Sequence, residues 1–132
     1  MAEIAGFPLI AGPYNAEIWA QITYKYKDEP EKGRRCDICY AVRLKKTAEQ
    51  AAILGFDGFT TVMSLSPLKK ADTLNRIGRM FGKRFGIDFL EANFKKKDGF
   101  LKSVRRSKDH GIYRQDYCGC EFSLRDKLKR NK

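Results

Sequence analysis

Residues 55–90 read GFDGFTTVMSLSPLKKADTLNRIGRMFGKRFGIDFL, and this stretch decides the fold. Phe59 to Leu65 is rich in aromatic and β-branched residues and runs out at Ser66-Pro67, the pattern of a central strand emptying into a loop. Asp72 or Thr73 is placed to cap a helix, after which Leu74, Ile77, Met80, Phe81 and Phe85 form one apolar stripe. Gly86 stops that helix, and Ile87 to Leu90 supplies another short strand. Strand and helix alternate, which predicts an α/β protein with an open, mostly parallel sheet and helices on its faces.

Working outward, the segment from Cys36 onward reads as a helix, with Ile38, Val42, Ala48, Ala51, Ala52 and Leu54 among good helix formers and Gly55 as the stop. Lys25 to Arg35, with Pro30 and Gly33, reads as a surface loop. Before it, Asn15 is placed to cap a helix carrying Ile18, Trp19 and Ile22, and Phe7 to Ile10 is a short apolar run closed by Gly12-Pro13, as in a buried strand. Beyond Asn93 the pattern gives way to a basic helical or loop region, held to the body by Phe100, Leu101 and Val104. Residues 124–132 read as a basic tail that frays.

The 132 residues, 42% hydrophobic and 12% aromatic, suffice for one modest core, so residues 1–132 are expected to form a single domain. No apolar run is long enough to cross a bilayer and no leader pattern opens the chain, which predicts a cytoplasmic protein with no membrane partner. The formal charge is +11, and its distribution says more than its size. Residues 1–66 hold 8 Lys+Arg and 8 Asp+Glu, whereas residues 67–132 hold 19 and 8. A basic half suits a polyanion, because each phosphate neutralised releases condensed counterions. The plainer reading is a solvated lysine-rich surface that keeps the protein soluble.

The 4 cysteines fall in two close pairs. Cys36-Asp-Ile-Cys39 places two thiols on one face at the start of a helix, where the positive end of the helix dipole favours thiolate. In Cys118-Gly-Cys120 the glycine lets the backbone fold closely enough for both sulfurs to approach one centre. Four thiolates can hold tetrahedral zinc or an iron-sulfur cluster, and spacing alone does not choose between these or a metal-free set. The pairs bracket the expected sheet, so a site built from them needs the whole fold.

The residues around the pairs are more specific. Cys36-Asp37-Ile38-Cys39-Tyr40 with Arg43-Leu44, Phe59-Thr60-Thr61 leading to Ser66-Pro67-Leu68-Lys69, and Tyr113-Arg114-Gln115-Asp116-Tyr117-Cys118-Gly119-Cys120 occur in the order of one family. From about Phe7 to Ser123 the chain resembles the cobalamin-independent epoxyqueuosine reductases. The resemblance implies a Rossmann-like, HUP-like fold and reduction of the epoxide of epoxyqueuosine at the wobble position of tRNA. It also implies a 4Fe-4S cluster with an adjacent iron, and matches Cys36, Cys39, Cys118 and Cys120 to metal-binding positions, with zinc as the alternative occupant. The family begins with a further cysteine motif that this sequence does not contain, so the resemblance implies an N-terminally truncated member in which part of the sheet and of the metal site is missing: a truncated reading frame, one half of a split enzyme whose other chain supplies the motif, or a fragment with a mis-assigned start, in any of which the full two-metal centre is not expected to form in this chain alone. An electron donor is implied as well. The competing reading is a zinc-binding, non-redox tRNA-interaction module or an inactive fragment.

Epoxide removal takes two electrons and two protons, and an acid must protonate the departing oxygen. Asp116, Tyr113, Tyr117 and Tyr40 flank the cysteines and are the candidates, each with an ordinary packing or capping role as the alternative. Lys69, at the end of the expected strand, sits where open α/β sheets bind ligands. Lys95, Lys96, Lys97, Arg105 and Arg106 are the expected tRNA backbone contacts, and Lys69 and Arg114 are counted with them as nucleic-acid-binding; Arg43 and Arg114 are placed to meet tRNA phosphate or the cluster's sulfides, with an ordinary ion pair as the alternative. His110, the only histidine, reads as polar surface.

Overall fold

The computed structural model describes residues 1–13 and 15–131. Among the described residues six α-helices, α1 (Ala2–Ala5), α2 (Ala16–Thr23), α3 (Arg34–Ile53), α4 (Ala71–Phe85), α5 (Gly99–Asp109) and α6 (Glu121–Arg130), accompany two short strands, β1 (Gly58–Phe59) and β2 (Asp88–Phe89). The architecture is mixed α/β and mostly helical. The strands pair in parallel, Gly58 opposite Asp88 and Phe59 opposite Phe89, with α4 as the crossover between them.

The core lies between α3, α4 and the strand pair. Tyr40, Leu44 and Ala48 of α3 face Leu74, Ile77 and Phe81 of α4, and Phe59 closes the cluster against Phe89 at a ring separation of 5.1 Å. Close approach of α4 to β2 depends on Gly78, where a Cβ would fall within the Phe89 ring. Two helix ends are those the sequence announces: Asn15 Oδ1 accepts from the Ile18 N–H at 3.1 Å at the start of α2, and Gly86 adopts φ +68° after α4.

Several expectations fail. Neither Asp72 nor Thr73 caps α4, which already starts at Ala71 with Lys70 as N-cap, so that Asp72 lies in the first turn, where a carboxylate meets the positive helix end. Arg34 and Arg35 of the anticipated Lys25–Arg35 surface loop open α3 instead, and Arg35 is buried because three loop carbonyls take up its guanidinium. The Ile87–Leu90 strand narrows to Asp88–Phe89. Of the anticipated Phe59–Leu65 strand only Phe59 pairs with β2, joined there by Gly58 before it, and Met63–Leu65 winds into a 3-10 turn instead. Local bonds favour the turn: Thr61 Oγ1 accepts from the Met63 N–H at 3.2 Å, and the buried Ser64 hydroxyl accepts from the Phe94 N–H at 3.2 Å. Phe7–Ile10 forms no strand and lies exposed, since no neighbouring strand among the described residues offers it a ladder. The tail is not frayed over Leu124–Arg130, for α6 runs from Glu121 to Arg130 and buries Phe122 and Ser123. Lys132, the last residue of that tail, lies outside the described residues. No helix among the described residues is long and apolar enough to cross a membrane.

Candidate metal centre

Cys36, Cys39, Cys118 and Cys120 line a single cavity of about 130 Å³, together with Trp19, Arg35, Tyr40, Arg43, Met63 and Lys69. Two of the thiols come from the first turns of α3 and two from the segment that opens α6. Gly119 makes the second pair possible: its φ of +98° is open to glycine, and it turns the chain so that Cys120 becomes the N-cap of α6, accepting from the Ser123 N–H at 3.4 Å. The Ser123 hydroxyl returns a bond, accepting from the Cys118 N–H at 2.9 Å.

Arg35 joins the two halves. Its side chain is 2% exposed, its Nη1 donates to the carbonyls of Glu29 at 2.6 Å, Lys27 at 3.0 Å and Tyr26 at 3.3 Å, and its guanidinium lies 4.6 Å from the ring centre of Phe122. The loop before α3, the start of α3 and the start of α6 are thus tied through one buried cation. An ion pair of 3.1 Å between Lys70 and Asp37 fastens the start of α4 to the start of α3.

Each sulfur faces a protein donor. The Lys69 ammonium donates to Cys118 at 2.5 Å, Arg43 Nε to Cys39 at 3.4 Å and the Lys32 N–H to Cys36 at 3.3 Å. A hydrogen bond from the Cys120 thiol and the contact with Lys69 outweigh burial and lower the Cys118 thiol to about 5, while the Cys120 thiol, sharing that bond, is pushed up. Burial pushes Cys36 up as well. The Tyr40 hydroxyl is raised, by burial first and then by Cys36; the residue is 1% exposed and its oxygen has no hydrogen-bond partner. Among the described residues no group of three or more His, Cys, Asp or Glu stands ready to hold a metal ion. The fit to a metal or cluster lies in donor type and placement: four soft thiols around one cavity, with cations to offset their charge and a buried hydroxyl left unmatched.

The family model described as "Epoxyqueuosine reductase QueH" matches residues 1–126. The chain belongs to the QueH family. Its relatives carry that same description: it is 40% identical over 99 residues to the one from Streptococcus pyogenes serotype M1, covering 75% of this chain and 39% of that protein. Over 123 residues it is 36% identical to the one from Thermotoga maritima, covering 91% and 64%. Over 129 residues it is 33% identical to the one from Histophilus somni, covering 97% and 53%. The chain therefore spans between two fifths and two thirds of the length of these QueH relatives.

Of the remaining residues singled out in the sequence, Tyr40 is the one candidate acid that lines the thiol cavity. Tyr113 is 80% exposed and does not line it. Asp116 is exposed and bonded to Lys127 at 2.6 Å, which holds its carboxyl below the usual range. Tyr117 has the Lys127 ammonium 5.8 Å from its ring centre. Lys69, Lys95 and Arg114, expected to meet nucleic acid, are engaged within the protein. The Lys95 ammonium donates to the carbonyls of Lys69 at 2.6 Å and Ser66 at 3.3 Å, bracing the loop that presents Lys69, and Arg114 Nη1 donates to the hydroxyls of Ser107 at 3.0 Å and Ser103 at 3.2 Å. Lys96, Lys97, Arg105 and Arg106 are exposed, as is His110 at the end of α5. Sequence reasoning missed Arg35 as a hub and Trp19 as a wall of the centre. The one available signal was the position of Arg35 beside Cys36, and a lone arginine there announces nothing.

Proposed function

We propose that this chain carries the thiol centre of an enzyme that reduces epoxyqueuosine to queuosine in tRNA. The observation that carries the reading is the convergence of Cys36, Cys39, Cys118 and Cys120 on one cavity in a member of the QueH family. The reaction takes an epoxide, two electrons and two protons to an alkene and water. These four cysteines would hold an iron-sulfur cluster, with an adjacent iron completed by residues of the remaining length of the relatives. When bound, that group supplies the electrons, received from an external donor, and a Lewis acid for the departing oxygen. The protein's own part is electrostatic and protonic. Lys69 and Arg43 offset thiolate charge, Arg35 keeps the two cysteine segments in register, and the unmatched Tyr40 hydroxyl is the proton donor within the cavity.

The fold reading goes with it. We take the parallel β1–α4–β2 unit as part of a larger Rossmann-like sheet, within one domain over residues 1–132. The support is the free edge of β1 and a groove of about 650 Å³ beside it, bordered by Ile10, Leu54 and Phe56. The tRNA backbone contacts in this reading are Lys96, Lys97, Arg105 and Arg106, and the cytoplasm is where the substrate tRNA is met.

Anaerobic reconstitution with iron and sulfide tests the centre. The expected product is brown, with broad visible absorbance that Cys36→Ser or Cys118→Ser abolishes. A colourless protein holding one zinc would replace the redox reading with a structural one. Conversion of epoxyqueuosine tRNA is then assayed with the chain alone and with the remainder of a relative supplied as a separate polypeptide; failure of both sinks the reductase assignment.

A further inference from the structure

The segment that joins α5 to Cys118 is pinned on both sides of Tyr113. The Ile112 N–H donates to the Ser107 carbonyl at 2.8 Å. Arg114 Nη1 donates to the hydroxyls of Ser107 at 3.0 Å and Ser103 at 3.2 Å, and its guanidinium lies 5.6 Å from the ring centre of Phe100. Farther along, Gln115 Nε2 donates to the Tyr117 carbonyl at 2.9 Å and Asp116 pairs with Lys127. Tyr113 itself is left over. It is 80% exposed, the most of any large apolar or aromatic side chain among the described residues, and no partner among them meets its ring or its hydroxyl. Tyr24, exposed to 58%, differs: the Lys27 ammonium lies 4.7 Å from its ring centre and donates to its hydroxyl at 3.3 Å. A single exposed aromatic is ordinary on a loose surface. One displayed by a braced segment, between a helix and a cysteine pair, is positioned for something that arrives.

The helix beside it gives the charge of that partner. Lys102, Arg105, Arg106 and Lys108 of α5 are exposed and enter no ion pair among the described residues, and Asp109 is the one carboxylate of the helix. A polyanion neutralises such a row by releasing its own counterions. The ring gives the shape, since a free aromatic face is matched by another flat face. In a duplex each base is covered by its neighbours, whereas unpaired nucleotides offer their faces, and single strands are held by aromatic side chains under the bases with cations on the phosphates.

We propose that Tyr113 stacks on a base of an unpaired nucleotide stretch whose phosphates lie along Lys102, Arg105 and Arg106, so that this face selects a nucleic-acid loop over a duplex. The proposal rests on the tRNA reading and adds how a loop is told from a stem. The wobble nucleotide lies in the unpaired anticodon loop. Tyr113 and Cys118 are five residues apart in the sequence, so their backbones are separated by at most about 18 Å, within the span of one such loop.

Equilibrium binding of the full chain at fixed salt tests this with three probes: an RNA hairpin with an unpaired loop, the duplex of its stem alone, and inorganic polyphosphate, which has charge without bases. The intact chain is expected to prefer the hairpin. Tyr113→Ala should lose about tenfold or more on the hairpin and keep its affinity for the duplex and for polyphosphate, with the salt slope unchanged. Tyr113→Phe and Tyr113→Trp retain a ring and should retain the preference. Emission of the Tyr113→Trp variant should be quenched by the hairpin beyond any change in the intact chain, whose one tryptophan is Trp19. Hairpin affinity kept by Tyr113→Ala would overturn the proposal and leave the face to an acidic protein. A loss as large on polyphosphate as on the hairpin would overturn it too, because the ring would then act through charge or folding. In both cases the tRNA reading stands; an intact chain that binds none of the probes at low salt removes that reading as well.

Discussion

Replacing Arg35 with methionine tests whether the centre is held together by one buried cation. Two hydrogens on Nη1 are shared among three carbonyls, those of Glu29 at 2.6 Å and Lys27 at 3.0 Å being well placed and that of Tyr26 at 3.3 Å the weakest. Hydrogen bonds from a charged donor contribute about 1.5–3 kcal/mol each, and a desolvated cation on an aromatic face about 2 kcal/mol. These do not add, because burying the guanidinium has its own desolvation cost and methionine recovers apolar contact with Phe122. A net loss of about 3 kcal/mol is expected for Arg35→Met. For a chain of this length that is on the order of 10 °C in Tm. Arg35→Lys should rescue little, since an ammonium cannot meet the carbonyls and lie flat on the ring together. Denaturant unfolding gives the stability change, and cluster uptake by the folded fraction at low temperature reads whether the cysteine pairs still face one another. A loss under about 1 kcal/mol with uptake intact would show that the α3 and α6 segments are held by other contacts.

Tyr40→Phe removes a buried hydroxyl that has no partner, so stability should stay level or rise by up to about 1 kcal/mol, while turnover with loaded enzyme falls by about a hundredfold; equal activity would remove Tyr40 as the acid. Gly78→Ala should destabilise by about 1–3 kcal/mol in urea unfolding despite the helix-forming advantage of alanine, because the new methyl meets the Phe89 ring, and Phe89→Leu in the same chain should recover part of the loss. Lys95→Met should cost about 2 kcal/mol of stability through the freed Ser66–Lys69 loop and barely change the salt dependence of tRNA binding. Lys96→Glu and Lys97→Glu should do the reverse, each lowering the salt slope by about 1 while the melt is unmoved.

The helices were legible where apolar spacing and a stop agreed. Leu74, Ile77 and Phe81 lie buried on the α4 face that their spacing defines, and Gly86 closes it. Strands were over-read because intrinsic preference was the only guide. Thr60, Thr61 and Val62 favour extended backbone, yet the Thr61 and Ser64 hydroxyls find local and long-range donors that a straight strand would forfeit. Helix α6 was read as a fraying tail because its basic residues mask two short signals, a cysteine N-cap and the single anchor Phe122.

The thiol centre shows the same division. The cysteines are recognisable because their chemistry is carried in a local motif, whereas the cations around them are not, because any lysine or arginine finds its partner only after the chain has folded. Lys69 and Lys95 illustrate the consequence. Both were expected on a phosphate-binding face, and instead Lys95 holds the carbonyl of Lys69 while Lys69 reaches Cys118, a relay from the basic half of the chain into the cavity. A substitution at Lys95 therefore acts on the loop that presents Lys69 to the sulfur centre, whereas the neighbouring Lys96 and Lys97 stand exposed on the same turn, where the proposed tRNA contact would form. Three consecutive lysines that a charge count treats as equal are separated by where their ammonium groups end.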